Sequence, residues 1–100
     1  MITSNNESPK VELASLISKN LLFRNSADEL FKYMNDLNSD GIIVDFNNIE
    51  SVTRAFSHQY LIYKKKENQK RIIDINLPSS VKKMFKLVEK TSKGILLSHS

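Results

Sequence analysis

The sequence offers few side chains that could carry out catalysis, and their spacing assembles no reaction centre. The chain has no cysteine and two histidines, His58 and His99, with no HxxxH or HxxEH spacing that would put two metal ligands on one helix face. No serine lies in a GxSxG elbow. A pairing of Ser57 with His58 fails because adjacent helix residues point about 100° apart. These absences predict a protein that is not an enzyme and has no metal or other cofactor.

Two further groups of residues have more than one interpretation. The carboxylates of Asp45 and Glu50 flank a predicted loop, and we favour a role for Asp45 in capping or orienting that loop over a paired acid–base role. The two glycines, Gly41 and Gly94, belong to no phosphate-binding pattern. The free amides of Thr53–Phe56, with Arg54 beside them, still suit a phosphate or carboxylate at a helix start. A plain surface arginine fits Arg54 at least as well.

These residues are positioned by a strand-to-helix crossover over Gly41–Tyr63. The β-branched run Ile42–Phe46 predicts the central strand of a parallel sheet, covered on both faces, and Asn47-Asn48 predicts a turn after it. A helix then begins near Thr53, with Thr53 as its cap and Ser51 as the rival cap. Its buried face is predicted from the apolar positions Val52, Ala55, Phe56, Tyr60 and Tyr63.

The rest of the chain alternates strands and helices around this unit. We predict a first strand over Val11–Ile17, which either continues into Leu21–Phe23 or is followed by a second short strand there. The next predicted element is a helix capped by Ser26 in a capping box with Glu29 and ended by Gly41. A strand follows at Arg71–Leu77, with Asp74 and Asn76 on its alternate face. A further helix is capped by Ser79 or Ser80 and extends to about Thr91, and Ile95–Leu97 is an edge strand or a tail. The fold class is therefore α/β, a mostly parallel sheet of four to five strands with about three helices in βαβαβα order. Residues 1–9 are predicted to be a flexible leader and residues 10–100 a single domain.

Charge is distributed unevenly between the two halves. Residues 1–50 contain four Lys/Arg and eight Asp/Glu, and residues 51–100 contain eleven and three, within a net charge of +4. A solvated lysine-rich surface is the favoured interpretation. Weak nucleic-acid binding through Lys64–Lys66, Lys70, Arg71 and the lysines of the last helix remains an alternative on charge alone. Because no apolar run approaches about 20 residues and no signal peptide is visible, we predict a soluble, cytoplasmic protein.

The crossover also resembles a known family. Val44-Asp45-Phe46, Ile49-Glu50-Ser51-Val52 and the run Arg54–Gln59 resemble the STAS-like family of uncharacterised domains, which are similar to the sulphate transporter and anti-sigma-factor antagonist fold. Arg24-Asn25-Ser26-Ala27 fits the Arg-Ser-x-Ala opening of that family's first helix, with Asn25 where serine is common. The similarity extends over about Leu16–Val88.

This resemblance implies a regulatory or protein-interaction module that binds a protein partner, for which a histidine-kinase-like ATPase is one candidate. The serine that such a kinase phosphorylates in the antagonists falls on Ala55, and the preceding aspartate falls on Thr53, so Thr53, Ser51 and Ser57 are the candidate phosphoacceptors that remain. The predicted partner-binding residues are Asn47, Asn48, Glu50, Ser51, Thr53, Arg54, Ser57, His58 and Gln59, on the loop and the exposed face of its helix. An anion- or nucleotide-binding module is the alternative function, beside the weak nucleic-acid binder.

Overall fold

Five parallel strands in two sheets and four helices make up the described part of the chain. The structure is a computed structural model that describes residues 8–91. Its elements are β1 (Lys10–Glu12), α1 (Leu13–Leu16), β2 (Asn20–Leu21), α2 (Arg24–Asn35), β3 (Gly41–Asp45), β4 (Ser51–Val52), α3 (Arg54–Lys66), β5 (Arg71–Ile75) and α4 (Ser79–Thr91). The predicted α/β class with parallel strands is confirmed.

The strands do not form the single sheet that the sequence predicts. β1, β3 and β5 make a three-stranded parallel sheet in that order, so the central position of β3 is confirmed. β2 and β4 pair with each other in a separate two-stranded sheet, with Leu21 opposite Val52. The chain can form this second pair because both connections of the main sheet are interrupted by a two-residue strand, one before α2 and one before α3.

The first predicted strand is shorter than expected. It ends at Glu12, and the chain then makes the single helical turn α1, in which the amides of Ile17 and Ser18 donate to the Leu13 carbonyl (2.9 and 3.1 Å). The turn places Leu13 fully inside the core. Burial of this one leucine therefore outweighs the partial alternation that predicts a strand up to Ile17.

Helix α2 begins two residues before the predicted cap. Phe23 is its N-cap and makes no side-chain hydrogen bond, while the Ser26 amide already donates to the Phe23 carbonyl (3.1 Å). The capping box at Ser26 is therefore wrong, because that residue lies within the first turn. The inward face of α2 consists of Ala27, Leu30, Phe31 and Met34, which are buried.

The helices cover mainly one face of the main sheet. Ile42, Val44 and Phe46 are fully buried beneath them, but Ile43 on the other face is half-buried and Ile73 beside it is 42% exposed. Coverage of both faces is therefore wrong for the described residues. The strand order steps in one direction from β1 to β5, and right-handed crossovers in one direction put α2 and α3 on the same side.

Helix α4 completes the core from the other side of α3. Its buried residues are Val81, Phe85 and Val88, and the Phe85 ring lies 5.8 Å from Phe46 and 5.7 Å from Tyr60, centroid to centroid. No helix within residues 8–91 has the length and apolar composition that crossing a membrane requires. The predictions for residues 1–7, Gly94, Ile95–Leu97 and His99 lie outside the described residues.

Candidate functional site

The candidate site is the loop from the carboxyl end of β3 to the first turn of α3, and Asp45 anchors its beginning. Asp45 is 4% exposed, and its Oδ1 accepts hydrogen bonds from the Asn47 amide (2.9 Å) and from Asn76 Nδ2 (3.0 Å). Lys10 Nζ lies 3.8 Å from its Oδ2. The Asn76 hydrogen bond, helped by the Asn47 amide and the Lys10 charge, lowers the pKa of Asp45 although burial opposes the shift. Asp45 therefore orients the loop.

The loop itself is a tight turn that asparagine makes possible. The Ile49 amide donates to the Phe46 carbonyl (3.1 Å), and Asn48 has φ of 68°, in the left-handed region that asparagine tolerates better than most residues. Ile49 is buried and fastens the turn to the core. Asn47 and Asn48 are both exposed, so the turn presents two amide side chains to solvent.

The second half of the loop is tied to the segment around β2. The Glu50 amide donates to the Lys19 carbonyl (2.7 Å), and the Ser51 hydroxyl donates to Asn20 Oδ1 (2.6 Å). Glu50 remains exposed and Ser51 is half-buried. Ser51 lies in β4, so it is not the cap of α3.

Thr53 is the cap of α3, as the sequence predicts. Its Oγ1 accepts from the Phe56 amide (3.2 Å) and donates to the Leu22 carbonyl (2.8 Å), and its own amide donates to the Leu21 carbonyl (3.0 Å). One threonine thus joins the start of α3 to the end of β2. Its hydroxyl already has a partner as donor and a partner as acceptor, so phosphorylation of Thr53 requires both contacts to break.

Ser57 is not on the surface, and its predicted place among the exposed residues is wrong. It is fully buried, and its hydroxyl donates to the Thr53 carbonyl one turn earlier (2.8 Å). The apolar positions predict the buried face of α3 too narrowly, because Ser57 and Leu61 also turn inward. Because it is buried, the Ser57 side chain is accessible neither to a docking partner nor to a kinase.

Arg54 is positioned by a helix that is remote in sequence. Its Nη2 donates to Thr91 Oγ1 (2.8 Å), and that hydroxyl donates in turn to the Leu87 carbonyl (2.9 Å). Arg54 is exposed, and His58 and Gln59 on the next turn of α3 are half-buried. The contact with Thr91 was not predicted, and nothing in the local sequence signals it, because it depends on how α4 packs across α3.

A buried polar network was also missed. The Tyr60 hydroxyl donates to Asp74 Oδ1 (2.5 Å), and Lys64 Nζ lies 2.7 Å from Asp74 Oδ2. Burial, with the nearby Asp74 charge, raises the pKa of Tyr60 well above its usual range. Asp74 thus lies on the alternate face of β5 from Ile73, as the sequence predicts, and that face is the one covered by α3. The register of the two strands sets Asp74 opposite the buried Val44, a long-range pairing that no local pattern encodes.

Several of the cationic side chains and backbone amides predicted to bind anions already have partners within the protein. Lys64 pairs with Asp74, and Lys70 Nζ donates to the carbonyls of Leu37 and Ser39 (2.7 and 2.8 Å). At the start of α3, the amides of Thr53 and Phe56 have protein acceptors. In the part of the chain that the structure describes, no three His, Asp or Glu side chains come together as a metal ion needs.

Comparison of the chain with protein-family models, with curated proteins and with solved structures found no match. Of the nine predicted partner-binding residues, the structure brings eight to the surface of one loop–helix junction, four of them exposed and four half-buried. The exposed ones are Asn47, Asn48, Glu50 and Arg54, and the half-buried ones are Ser51, Thr53, His58 and Gln59.

Proposed function

We propose that the chain is a non-enzymatic regulatory module of the STAS-like type that docks a protein partner through the junction between Asn47 and Gln59. The observation that supports this most is the fixed backbone of the junction. Its turn, its middle and its helix cap are each held by hydrogen bonds to Asp45, Lys19 and the end of β2. Side chains presented on such a backbone lose little further conformational entropy when a partner binds.

The chemistry of the junction suits recognition better than catalysis. It offers amide, carboxylate, guanidinium and imidazole groups to solvent, and its one buried carboxylate, Asp45, is used to hold the loop. Polar groups on a rigid scaffold give a partner specificity through hydrogen bonds and charge. A histidine-kinase-like ATPase is the partner that the family resemblance suggests.

The proposal does not need a phosphorylation switch. Ala55 occupies the position of the usual acceptor, Ser57 is buried, and the Thr53 hydroxyl holds the helix cap and the end of β2. Ser51 is half-buried and bonded to Asn20.

The two alternative functions have less support. At the start of α3, where an anion or nucleotide would bind, two of the four amides of Thr53–Phe56 already donate hydrogen bonds within the protein. A nucleic-acid surface that combines Lys64 and Lys70 with the lysines of α4 loses both of those side chains to intramolecular contacts. The predicted anion site and the predicted nucleic-acid surface therefore each have fewer groups available for a ligand than the sequence indicates.

The proposal is tested by affinity capture from a lysate of the native host, compared among three forms of the protein. The wild type is matched with Arg54→Ala/His58→Ala and with a control, Lys65→Ala/Lys66→Ala, which alters the exposed far end of α3. We expect a protein that the wild type and the control retain and the site variant loses by about tenfold. The same dependence should be reproduced with the purified partner. A partner set identical for all three forms would contradict the proposal.

A further inference from the structure

Three large apolar side chains are exposed beside the candidate site. Phe23 is 64% exposed, Leu22 is 41% exposed, and Leu87 is 45% exposed. Leu22 and Phe23 form the link between β2 and α2, and Leu87 lies on the last two turns of α4. Single exposed apolar residues are ordinary on protein surfaces, but a cluster of them marks an interaction site.

Hydrogen bonds join the backbone of Leu22 and of Leu87 to the start of α3, from the two sides of it. Thr53 Oγ1 donates to the Leu22 carbonyl, and its neighbour Arg54 donates to Thr91, whose hydroxyl donates to the Leu87 carbonyl. Helix α4 also packs against β4, the partner strand of β2. We infer that Leu22, Phe23 and Leu87 flank the start of α3 on one surface, which we call the Phe23–Leu87 surface.

Cationic side chains alternate with these apolar groups. Arg54 lies between the two leucines along the chain of hydrogen bonds. Lys83 precedes Leu87 by four residues and Lys90 follows it by three, so both lie on the same side of α4 as Leu87. Both lysines are exposed, and neither takes part in an ion pair among the described residues.

We propose that the Phe23–Leu87 surface binds a protein segment in which apolar side chains are flanked by aspartate or glutamate, laid down as an amphipathic helix. Apolar groups of such a segment would cover Leu22, Phe23 and Leu87, and its carboxylates would meet Arg54, Lys83 and Lys90. This inference deepens the proposed function, on which it rests, by stating the chemistry of the partner.

Exposed carboxylates near Phe23 distinguish a protein partner from a lipid surface. Asp28 and Glu29 follow Phe23 within the first turns of α2, and Glu50 lies on the loop before Thr53; all three are exposed. An anionic membrane attracts surfaces with an uninterrupted cationic field, and these acids interrupt it. A protein segment can place its carboxylates against Arg54, Lys83 and Lys90 and away from these acids.

The test uses fluorescent synthetic peptides of about 18 residues, long enough to populate a helix, added to the full chain at low salt. The probe has leucines on one face flanked by glutamates, and its matched control has lysine in place of each glutamate. Anisotropy should show binding of the acidic peptide, weakened about tenfold by Phe23→Ser/Leu87→Ser and by Lys83→Glu/Lys90→Glu. The second variant changes exposed lysines alone, so it separates lost binding from lost folding.

Control variants at equally exposed positions should bind as the wild type does. These are Ile73→Ser on the open face of the main sheet and Lys65→Glu/Lys66→Glu at the end of α3. No binding of the acidic peptide, equal binding of the lysine peptide, or equal loss in the controls would overturn the inference. Binding to phosphatidylserine vesicles in place of the peptide would overturn it in favour of a lipid surface. If capture of the native partner depends on Arg54 and His58 but not on Phe23 and Leu87, this inference fails while the proposed function stands.

Discussion

Removal of the Asp45 carboxylate should loosen the candidate site and destabilise the fold. In Asp45→Ala, the Asn47 amide and the Asn76 side chain both lose their acceptor, and each bond to a charged acceptor contributes about 1.5–3 kcal/mol. Water can replace part of these hydrogen bonds at the sheet edge, so we expect the free energy of unfolding to fall by about 2–3 kcal/mol. This is a large fraction of the roughly 5–15 kcal/mol that stabilises a typical domain.

Asp45→Asn is the matched variant, because it keeps an oxygen acceptor but removes the charge. We expect it to cost about 1 kcal/mol near neutral pH, less than the alanine variant. Urea denaturation followed by far-ultraviolet circular dichroism measures both, since the midpoint shifts while the slope stays constant for a two-state protein.

The dependence on pH provides a second check. The folded-state pKa of Asp45 lies below its ordinary value of 3.8, so the carboxylate contributes stability above that value and the contribution disappears as pH falls through the folded-state pKa. The difference in unfolding free energy between wild type and Asp45→Asn should therefore stay constant above about pH 5 and shrink as the pH falls below 3.8. A difference that is constant or grows toward acid pH, or an alanine variant as stable as wild type, would refute this role for Asp45.

Three further substitutions test the supporting contacts. Asp74→Ala should cost about 3 kcal/mol by urea denaturation, because the buried Tyr60 hydroxyl loses its acceptor, whereas Asp74→Asn should cost clearly less; equal costs would contradict the network. Thr53→Ala should lower the unfolding free energy by about 1–2 kcal/mol through loss of the helix cap and of the bond to Leu22, and Thr53→Ser should restore most of it. Asn48→Gly should be neutral or stabilising in thermal melts while Asn48→Ala costs about 1 kcal/mol, because φ of 68° suits glycine; the reverse order would show that the side chain, not the backbone, matters there.

Local patterns in the sequence predict the units of this fold well. The run at Ile42–Phe46 identifies the central strand, and the threonine before an apolar-periodic stretch identifies the start of α3 at Thr53. The position of α4 also follows from local signals, but the cap predicted at Ser79 or Ser80 is wrong, because Ser79 is already helical and the Val81 and Lys82 amides donate to the Pro78 carbonyl. Each of these features depends on residues within a few positions of one another, which is the range that propensity and periodicity describe.

Long-range packing accounts for most of the errors. The open face of the main sheet follows from the order of the strands, and the two-stranded sheet follows from a pairing across about 30 residues, which no local pattern encodes. The sequence predicts Ser57 on the exposed face of α3, because polar residues usually face water, and it indicates no partner for Asp74. Each instead has a hydrogen-bond partner inside, the Thr53 carbonyl for one and Tyr60 with Lys64 for the other.

The candidate site contains features that local sequence patterns predict and features that depend on long-range packing. Its loop residues follow from the strand–turn–helix pattern, so most of them were found, whereas the part contributed by Thr91 and Leu87 depends on the packing of α4. The fixed position of Arg54 therefore could not be anticipated from its neighbours in sequence.

Hydrogen–deuterium exchange on the partner-bound protein tests the docking claim most directly. We expect the amides of the junction between Asn47 and Gln59 that are open to exchange in the free protein to become protected, with little change at the open sheet face around Ile73. Protection confined to β5 and that face, with the junction exchanging as fast as in the free protein, would contradict the account.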